Sequence, residues 1–349
     1  MSTRRATIAD VARTAGVAPS TASVVFSGKT AVSDATRQRV LDAAAALGYT
    51  GPDPRAASLR RGRSGIVGVV VQGPLGTVFL DPVTRLMMDG IADGVAGLGA
   101  GLLLLRDDVR DHDAAREHAL TTAPLDAAVL VGCNPRMRDS LATLRGRGIP
   151  VVVIEGDAGE GVPRIDLDNR EAQQQMARHV RSLGHHRVAM VALPRDAARE
   201  RGWLVPGDTI TVDVTRDRLA GMREEFPDAG AFAAAASSID EGLIAGRVLF
   251  ADPATRPTAV LAQSDLLAAG VIRAAEEAGL RVPHDVSVTG FDGVNVDGLA
   301  PYELTTMAQP AADKGRAAGH AVVAMLEGRD AASFRFTCTF HPGNTTAPA

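Results

Sequence analysis

Residues 7–27 read TIADVARTAGVAPSTASVVFS, and this stretch decides the class of the whole chain. Thr7 and Asp10 stand three apart, the spacing in which a hydroxyl caps an early backbone N–H and the acid favours the positive helix end, so a helix starts here. Ile8, Val11, Ala12 and Ala15 then recur at helical spacing on one face, and Gly16 supplies the positive φ of a tight stop. Pro19 suits the first position of a second helix, with Ala22 and Val25 on its inner face. Its outer face is short and polar: Ser20, Thr21 and Ser23. A third helix is predicted over 33–47, with Val40, Leu41, Ala44 and Leu47 inward and Gly48 as its stop. Two helices packed through small residues around a glycine turn leave the second free to enter a major groove, which is a helix-turn-helix.

Charge points the same way. Residues 1–64 carry ten Arg and Lys against four Asp and Glu, while the remainder carries 27 against 37. A basic head on an acidic body predicts a polyanionic partner for the head alone. At 349 residues the chain needs two or three domains, and 46% apolar with 22% charged residues excludes wholesale disorder. Cys133 and Cys338 belong to no CxxC or Cys/His cluster, so neither a disulfide framework nor a metal site is signalled. No stretch approaches about 18 consecutive apolar residues, and the first residues lead into a charged amphipathic segment instead of an export core. A cytoplasmic protein with no membrane partner is expected.

The helix-turn-helix residues, with Gly28-Lys29, Thr36-Arg37, Arg39-Val40-Leu41 and Leu47-Gly48-Tyr49, resemble the head of the lac repressor family of bacterial regulators. The resemblance implies that Pro19, Ser20, Thr21, Ser23 and Val24 face DNA, with Tyr49 and the helix ends touching phosphate, and Thr7, Ser27 and Lys29 are further DNA-binding candidates. Val24 stands where many members have an arginine, and a valine offers a base edge only methyl contact. Ser27 stands where asparagine is frequent. The prolines after Tyr49 read as a linker, and Ala56, Ser58 and Leu59 match the family's hinge helix, with Leu59 as the wedge that opens the minor groove.

From Gly65 onward, short apolar runs at 66–71, 102–105, 128–131, 151–154, 188–193, 259–262 and 286–289 alternate with helical stretches such as 83–98, 170–183 and 266–278. Such alternation predicts parallel sheets covered on both faces, with ligands beyond the carboxyl ends of the strands. The resemblance continues through Asp168-Asn169, Leu183-Gly184-His185, Asp217-Arg218-Leu219-Ala220-Gly221, Gly290-Phe291-Asp292 and Gln309-Pro310. It implies an N-terminal all-α helix-turn-helix plus hinge, followed by an α/β periplasmic-binding-protein-like core of two Rossmann-like lobes joined by three crossovers. The expected boundaries are 1–49 for the head, 50–64 for the linker and hinge, and 65–349 for the effector-binding and dimerisation core. Within the core the first lobe is expected at 65–163 and 291–325, the second at 164–290 and 326–349.

Resemblance also implies that Arg216 grips an effector and that Asp292 accepts its hydroxyl hydrogen bonds. The planar fork of an arginine suits a carboxylate, phosphate or vicinal diol. Asp81, Arg106, Glu155, Ser264, Asp265 and Gln309 fall at strand ends or on segments bordering the cleft, and Phe79 and Phe291 are candidates for an apolar wall. Ser264 replaces a common asparagine and Ser237 a frequent aromatic, and aromatics are only 3% of the chain, which argues against a strong sugar-stacking site. Residues 195–215 look inserted, with Trp203 as a lid or as surface packing. His185-His186 reads as structural.

No phosphate loop, GxSxG elbow or HExxH is present, so no catalytic residue, cofactor or metal is expected. The expectation is a homodimeric repressor of a double-stranded DNA operator, with affinity changed by a small-molecule effector, a sugar or related metabolite, and with an inducer placed ahead of a co-repressor. Competing readings are a solute-binding protein of a transport system, against which the basic head argues, and an enzyme on the same lobes.

Overall fold

Three short helices, α1 (Ile8–Ala15), α2 (Pro19–Ser27) and α3 (Asp34–Ala46), enclose a small core of Val11, Ala12, Ala15, Ala22, Val25, Val40, Ala43 and Ala44. The computed structural model describes residues 6–28, 31–51, 62–71, 75–106, 119–132, 137–156 and 158–349. Two units are distinguished, residues 1–65 and 66–349. In the first, Thr7 caps α1 reciprocally with Asp10: the Asp10 N–H reaches the Thr7 hydroxyl at 3.3 Å and the Thr7 N–H reaches the Asp10 carboxylate at 3.0 Å. Gly16 takes φ 64° and Gly28 φ 65°, the left-handed conformation that ends each helix. One expectation for α3 fails. Leu41 and Leu47 are 42% and 38% exposed, and Ala43 takes the inward place. The inward stripe is 40, 43 and 44, so Leu41 lies off it, and Leu47 sits past the last helical residue as its cap.

The second unit is two sheets. The first lobe has β1 (Ile66–Val71), β2 (Gly101–Arg106), β3 (Ala127–Val131), β4 (Val151–Ile154), β5 (Arg164–Leu167) and β12 (Phe334–Phe336), ordered β12-β5-β4-β3-β1-β2 with parallel pairing throughout. The second has β6 (Val188–Ala192), β7 (Gly202–Trp203), β8 (Gly230–Ala233), β9 (Ala259–Ala262), β10 (Ser287–Asp292), β11 (Thr305–Ala308) and β13 (Thr339–His341), ordered β13-β11-β10-β9-β6-β8-β7. Only its edge strands β7 and β13 run antiparallel. The inserted stretch thus contributes an edge strand. Trp203 meets Phe232 edge-on at 5.7 Å while staying 47% exposed, which makes it sheet-edge packing.

Strands β4 and β9 read as unbroken Val, Ile, Leu and Ala runs, and β1 as one interrupted by Gly68, because helices cover both faces of each sheet. In the first lobe α4 (Leu75–Leu80) precedes α5 (Pro82–Val95); α6 (Met137–Gly146) follows β3, and α11 (Ala311–Leu326) packs against α5. The second lobe holds α7 (Asn169–Ser182), α8 (Asp213–Glu225), α9 (Ile239–Phe250) and α10 (Asp265–Glu277), paired α7 with α8 and α9 with α10. Each helix pair is brought into backbone contact by glycine. A Cβ on Gly315 would lie 2.1 Å from the Met87 carbonyl oxygen, one on Gly221 2.1 Å from that of Arg170, and one on Gly270 2.1 Å from that of Ile239.

Sheet membership moves the crossovers away from the expected boundaries. The chain leaves the first lobe at Asp168, after β5, returns at Gln309-Pro310, after β11, and crosses again between β12 and β13. Segment 164–167 and β12, both expected in the second lobe, therefore belong to the first, and residues 291–308, with the end of β10 and all of β11, belong to the second. These strands lie beside established neighbours, and pairing decides membership where hydrophobic pattern alone does not. The first and third crossovers are joined: the Asp168 N–H reaches the Phe336 carbonyl at 3.1 Å, and the Cys338 N–H reaches the Asp168 carboxylate at 2.8 Å.

Candidate functional site

Two surfaces carry chemistry. In the head, Pro19 at the first position of α2 fixes the turn, and Ala22 and Val25 are buried. The opposite face then presents Pro19 and Ser20 exposed, with Thr21, Ser23 and Val24 half-buried. All of these side chains are small, so the backbone of α2 can approach a partner closely. The Thr7 hydroxyl is committed to its cap, and the Ser27 hydroxyl donates to the Val24 carbonyl at 3.2 Å. Tyr49 stacks edge-on against Phe26 at 5.3 Å, which fixes the end of α3 on the end of α2. Lys29, Ala56 and Leu59 lie outside the described residues.

The second surface is the junction of the lobes, where strand carboxyl ends from both sheets converge. Glu155 follows β4 with φ 52° and Asp292 ends β10 with φ 126°, both in the left-handed region that L side chains avoid. They are linked through a closed polar ring. The Asn169 amide donates to Glu155 Oε1 at 3.0 Å, and Lys314 Nζ donates to Glu155 Oε2 at 2.7 Å and also to Gln309 Oε1. Gln309 Nε2 donates to Asp292 Oδ1 at 2.6 Å. Arg218 lies 3.7 Å from that same oxygen and closes the ring by donating from Nε to Asn169 Oδ1 at 2.9 Å. Its guanidinium also sits 3.5 Å over the ring of Phe291.

Burial opposes ionisation of Glu155, but the charges of Lys314 and Arg218, with hydrogen bonds from Lys314 and Asn169, outweigh it and hold the carboxyl below its ordinary value. At Asp292 burial wins and the pKa is raised, Asp265 and Asp81 adding to the effect against the pull of Arg218. Asp265 is pushed by burial up to about 7, although the Thr306 hydroxyl at 2.6 Å and the Val294 N–H at 2.8 Å both favour its anion. Beside the ring opens a chamber of about 810 Å³, lined by Glu155 and Asn169 together with Arg138, Asp166, Arg216 and Asp217.

The expected residues separate into two groups. Glu155, Asp292 and Gln309 meet in the ring, and Arg216 borders the chamber, half-exposed and paired with Asp213 and Asp217. The others are engaged elsewhere. Asp81 caps α5, accepting from the Val83 N–H and the Thr84 hydroxyl, both at 3.0 Å, and burial raises its pKa. Ser264 caps α10 and accepts from Ser237 at 2.8 Å. Asp265 ties Thr306 to Val294 and is fully buried. Phe291 is fully buried beneath Arg218, so it is core and not a cleft wall. Phe79 is 45% exposed on α4, and Arg106 ends β2 half-buried.

Arg218, Asn169 and Lys314 were not anticipated. For Lys314 a signal existed: it interrupts the small and apolar stripe Ala311, Gly315, Ala318 and Val322 of α11, a position where a charge is tolerated only with buried partners.

Residues 7–51 match the family described as bacterial regulatory proteins, lacI family, and residues 177–346 match a periplasmic binding protein-like domain. An HTH-type transcriptional regulator of Mycobacterium tuberculosis is 34% identical over 328 residues, covering 90% of each chain. Among solved structures, the lac repressor dimer bound to operator and the anti-inducer ONPF superposes with a TM-score of 0.78 at 22% identity, over 99% of this chain and 100% of that one. A complex of the regulator CelR with cellobiose gives 0.68 at 24% identity, over 98% and 100%.

Proposed function

Because the chain belongs to the lacI family of bacterial regulatory proteins and is a DNA-binding transcriptional regulator, we propose that it is a homodimeric cytoplasmic repressor whose hold on its operator is changed by an uncharged, hydroxyl-bearing effector between the lobes of its core. In this reading α2 lies in the major groove with Ser20, Thr21, Ser23 and Val24 toward base edges, and Thr7, Ser27, Lys29 and Tyr49 position it against phosphate. Ala56 and Leu59 of each subunit form the paired minor-groove wedge. Arg216, Glu155, Asp292 and Gln309 serve the effector.

The observation that carries the proposal is the outer face of α2. It is small, polar and exposed at its start, held on a reciprocally capped α1, and shaped for close approach to a base edge. Val24 and the small hydroxyls make few base-specific hydrogen bonds, so phosphate contacts dominate affinity and the salt dependence is steep. The cellobiose held by a structural relative supports a sugar-like effector.

Selection of genomic fragments by the purified full-length protein, followed by footprinting and a salt titration, tests the reading. The expected result is a near-palindromic site with a steep log–log salt slope, and release by a metabolite of the adjacent operon. Equal binding to bulk duplex and to every genomic fragment, with or without metabolites, refutes it.

A further inference from the structure

We infer that Lys314 is a specificity-determining residue of the cleft: its ammonium fills, from within the protein, a cation subsite made by Glu155 and Gln309, and thereby bars effectors that would present an amine there. The inference rests on the reading that the space between the lobes takes the effector.

Lys314 is in the first turn of α11 and has no exposed surface. An ammonium so placed is costly unless its partners are complete. Here Glu155 Oε2 at 2.7 Å and Gln309 Oε1 accept from it, and Asn169 occupies the other oxygen of Glu155. Of the two acids of the ring, Glu155 is the one that lines the 810 Å³ chamber, beside Asp166, Asp213 and Asp217. Both oxygens of Glu155 are thus taken before any ligand arrives, and Lys314 and Arg218 both favour its anion. A free amine would have to displace one tethered in place, whose effective concentration is far higher.

Asp292 differs. Among the described residues its Oδ1 accepts from Gln309 and faces Arg218, while no hydrogen bond reaches its Oδ2. That oxygen is left for a ligand hydroxyl. An amine therefore finds the position between Glu155 and Gln309 already filled, while a hydroxyl can still be accepted at Asp292.

The test is chemical rescue of full-length Lys314→Ala. Leaving Glu155 buried without its cation lowers Tm by about 6 °C or more. Millimolar n-butylammonium chloride restores at least half of the loss in a saturable way; equal concentrations of 1-butanol or sodium chloride do not, and wild type gains nothing from the amine. Equal rescue by butanol or salt, no rescue by the amine, or saturable stabilisation of wild type overturns the inference. If Lys314→Ala does not fold, Lys314→Met with Glu155→Gln decides: a folded double variant supports the charge pairing, an unfolded one overturns it. Because the readout is stability, failure of the regulator reading, seen as absent DNA preference, is distinguishable from failure of this one.

Discussion

Replacing Gly315 by alanine drives a methyl into the carbonyl of Met87. The added Cβ lies 2.1 Å from that oxygen, 2.9 Å from its carbon and 3.0 Å from the Ile91 nitrogen. An ordinary carbon–oxygen approach is about 3.3 Å, so α5 and α11 must part by roughly 1 Å. All three neighbours are backbone atoms, which cannot rotate away as side chains do, and overpacking of this kind costs about 1–3 kcal/mol. Helix propensity returns up to about 1 kcal/mol. The contact is severe enough to place the net loss near 2 kcal/mol, which for a unit of this size lowers Tm by about 4–8 °C. Thermal scans by far-UV circular dichroism read it directly, with Gly146→Ala as the control: that glycine is exposed on α6 and an added Cβ meets nothing within 4 Å. The control should match or slightly exceed wild type. A Gly315→Ala protein that melts with Gly146→Ala would refute the claim that glycine sets the spacing of these helices.

Two further outcomes are expected. His185 is held below its ordinary value of 6.5 by burial, against the Ala347 carbonyl that it bonds at 3.0 Å, and His179, bonded to Thr346 at 3.2 Å, is depressed likewise. The folded state therefore binds fewer protons than the unfolded one; the stability these rings contribute is complete above about 6.5 and is lost as pH falls below it. Amide exchange of residues 344–349, corrected for intrinsic rates, should accelerate between pH 7 and pH 5 in wild type and much less in His185→Asn with His179→Asn; identical pH profiles would refute this. Arg201 forks onto Glu241 at 2.7 and 2.8 Å and anchors β7. In Arg201→Ala the emission of Trp203, the chain's one tryptophan, should shift to the red and become more open to acrylamide quenching, and unchanged quenching would count against the anchor.

Local rules were legible where one element satisfies them alone. The Thr7 cap, the Gly16 stop and Pro19 each act within one turn, so residues 7–27 gave the helix-turn-helix without tertiary information. Strands β1, β4 and β9 matched their apolar runs residue for residue. The charged strand Arg164–Leu167 and the short β12 and β13 escaped because pairing, not composition, makes them strands. In the cleft, residue type could not distinguish a carboxylate built into the ring between the lobes from one consumed as a helix cap, which is the difference between Asp292 and Asp81. The spacing of Arg216, Asp217 and Arg218 put two arginines within reach, and only helix rotation decides that Arg218 points inward. The stripe of α11 flags Lys314 as odd, but its carboxylate partner was hidden because Glu155 lies 159 residues away.

The stapling of Asp168 to Phe336 and Cys338 has a mechanical consequence. Two of the three connections are bonded into one strap, and the third, at Gln309-Pro310, is tied to it only through side chains of the polar ring, so the lobes are fastened along a line instead of at a point. Bodies fastened along a line swing about it as a door does, with twisting and sliding resisted. A change in the gap between the lobes is then a change in a single angle.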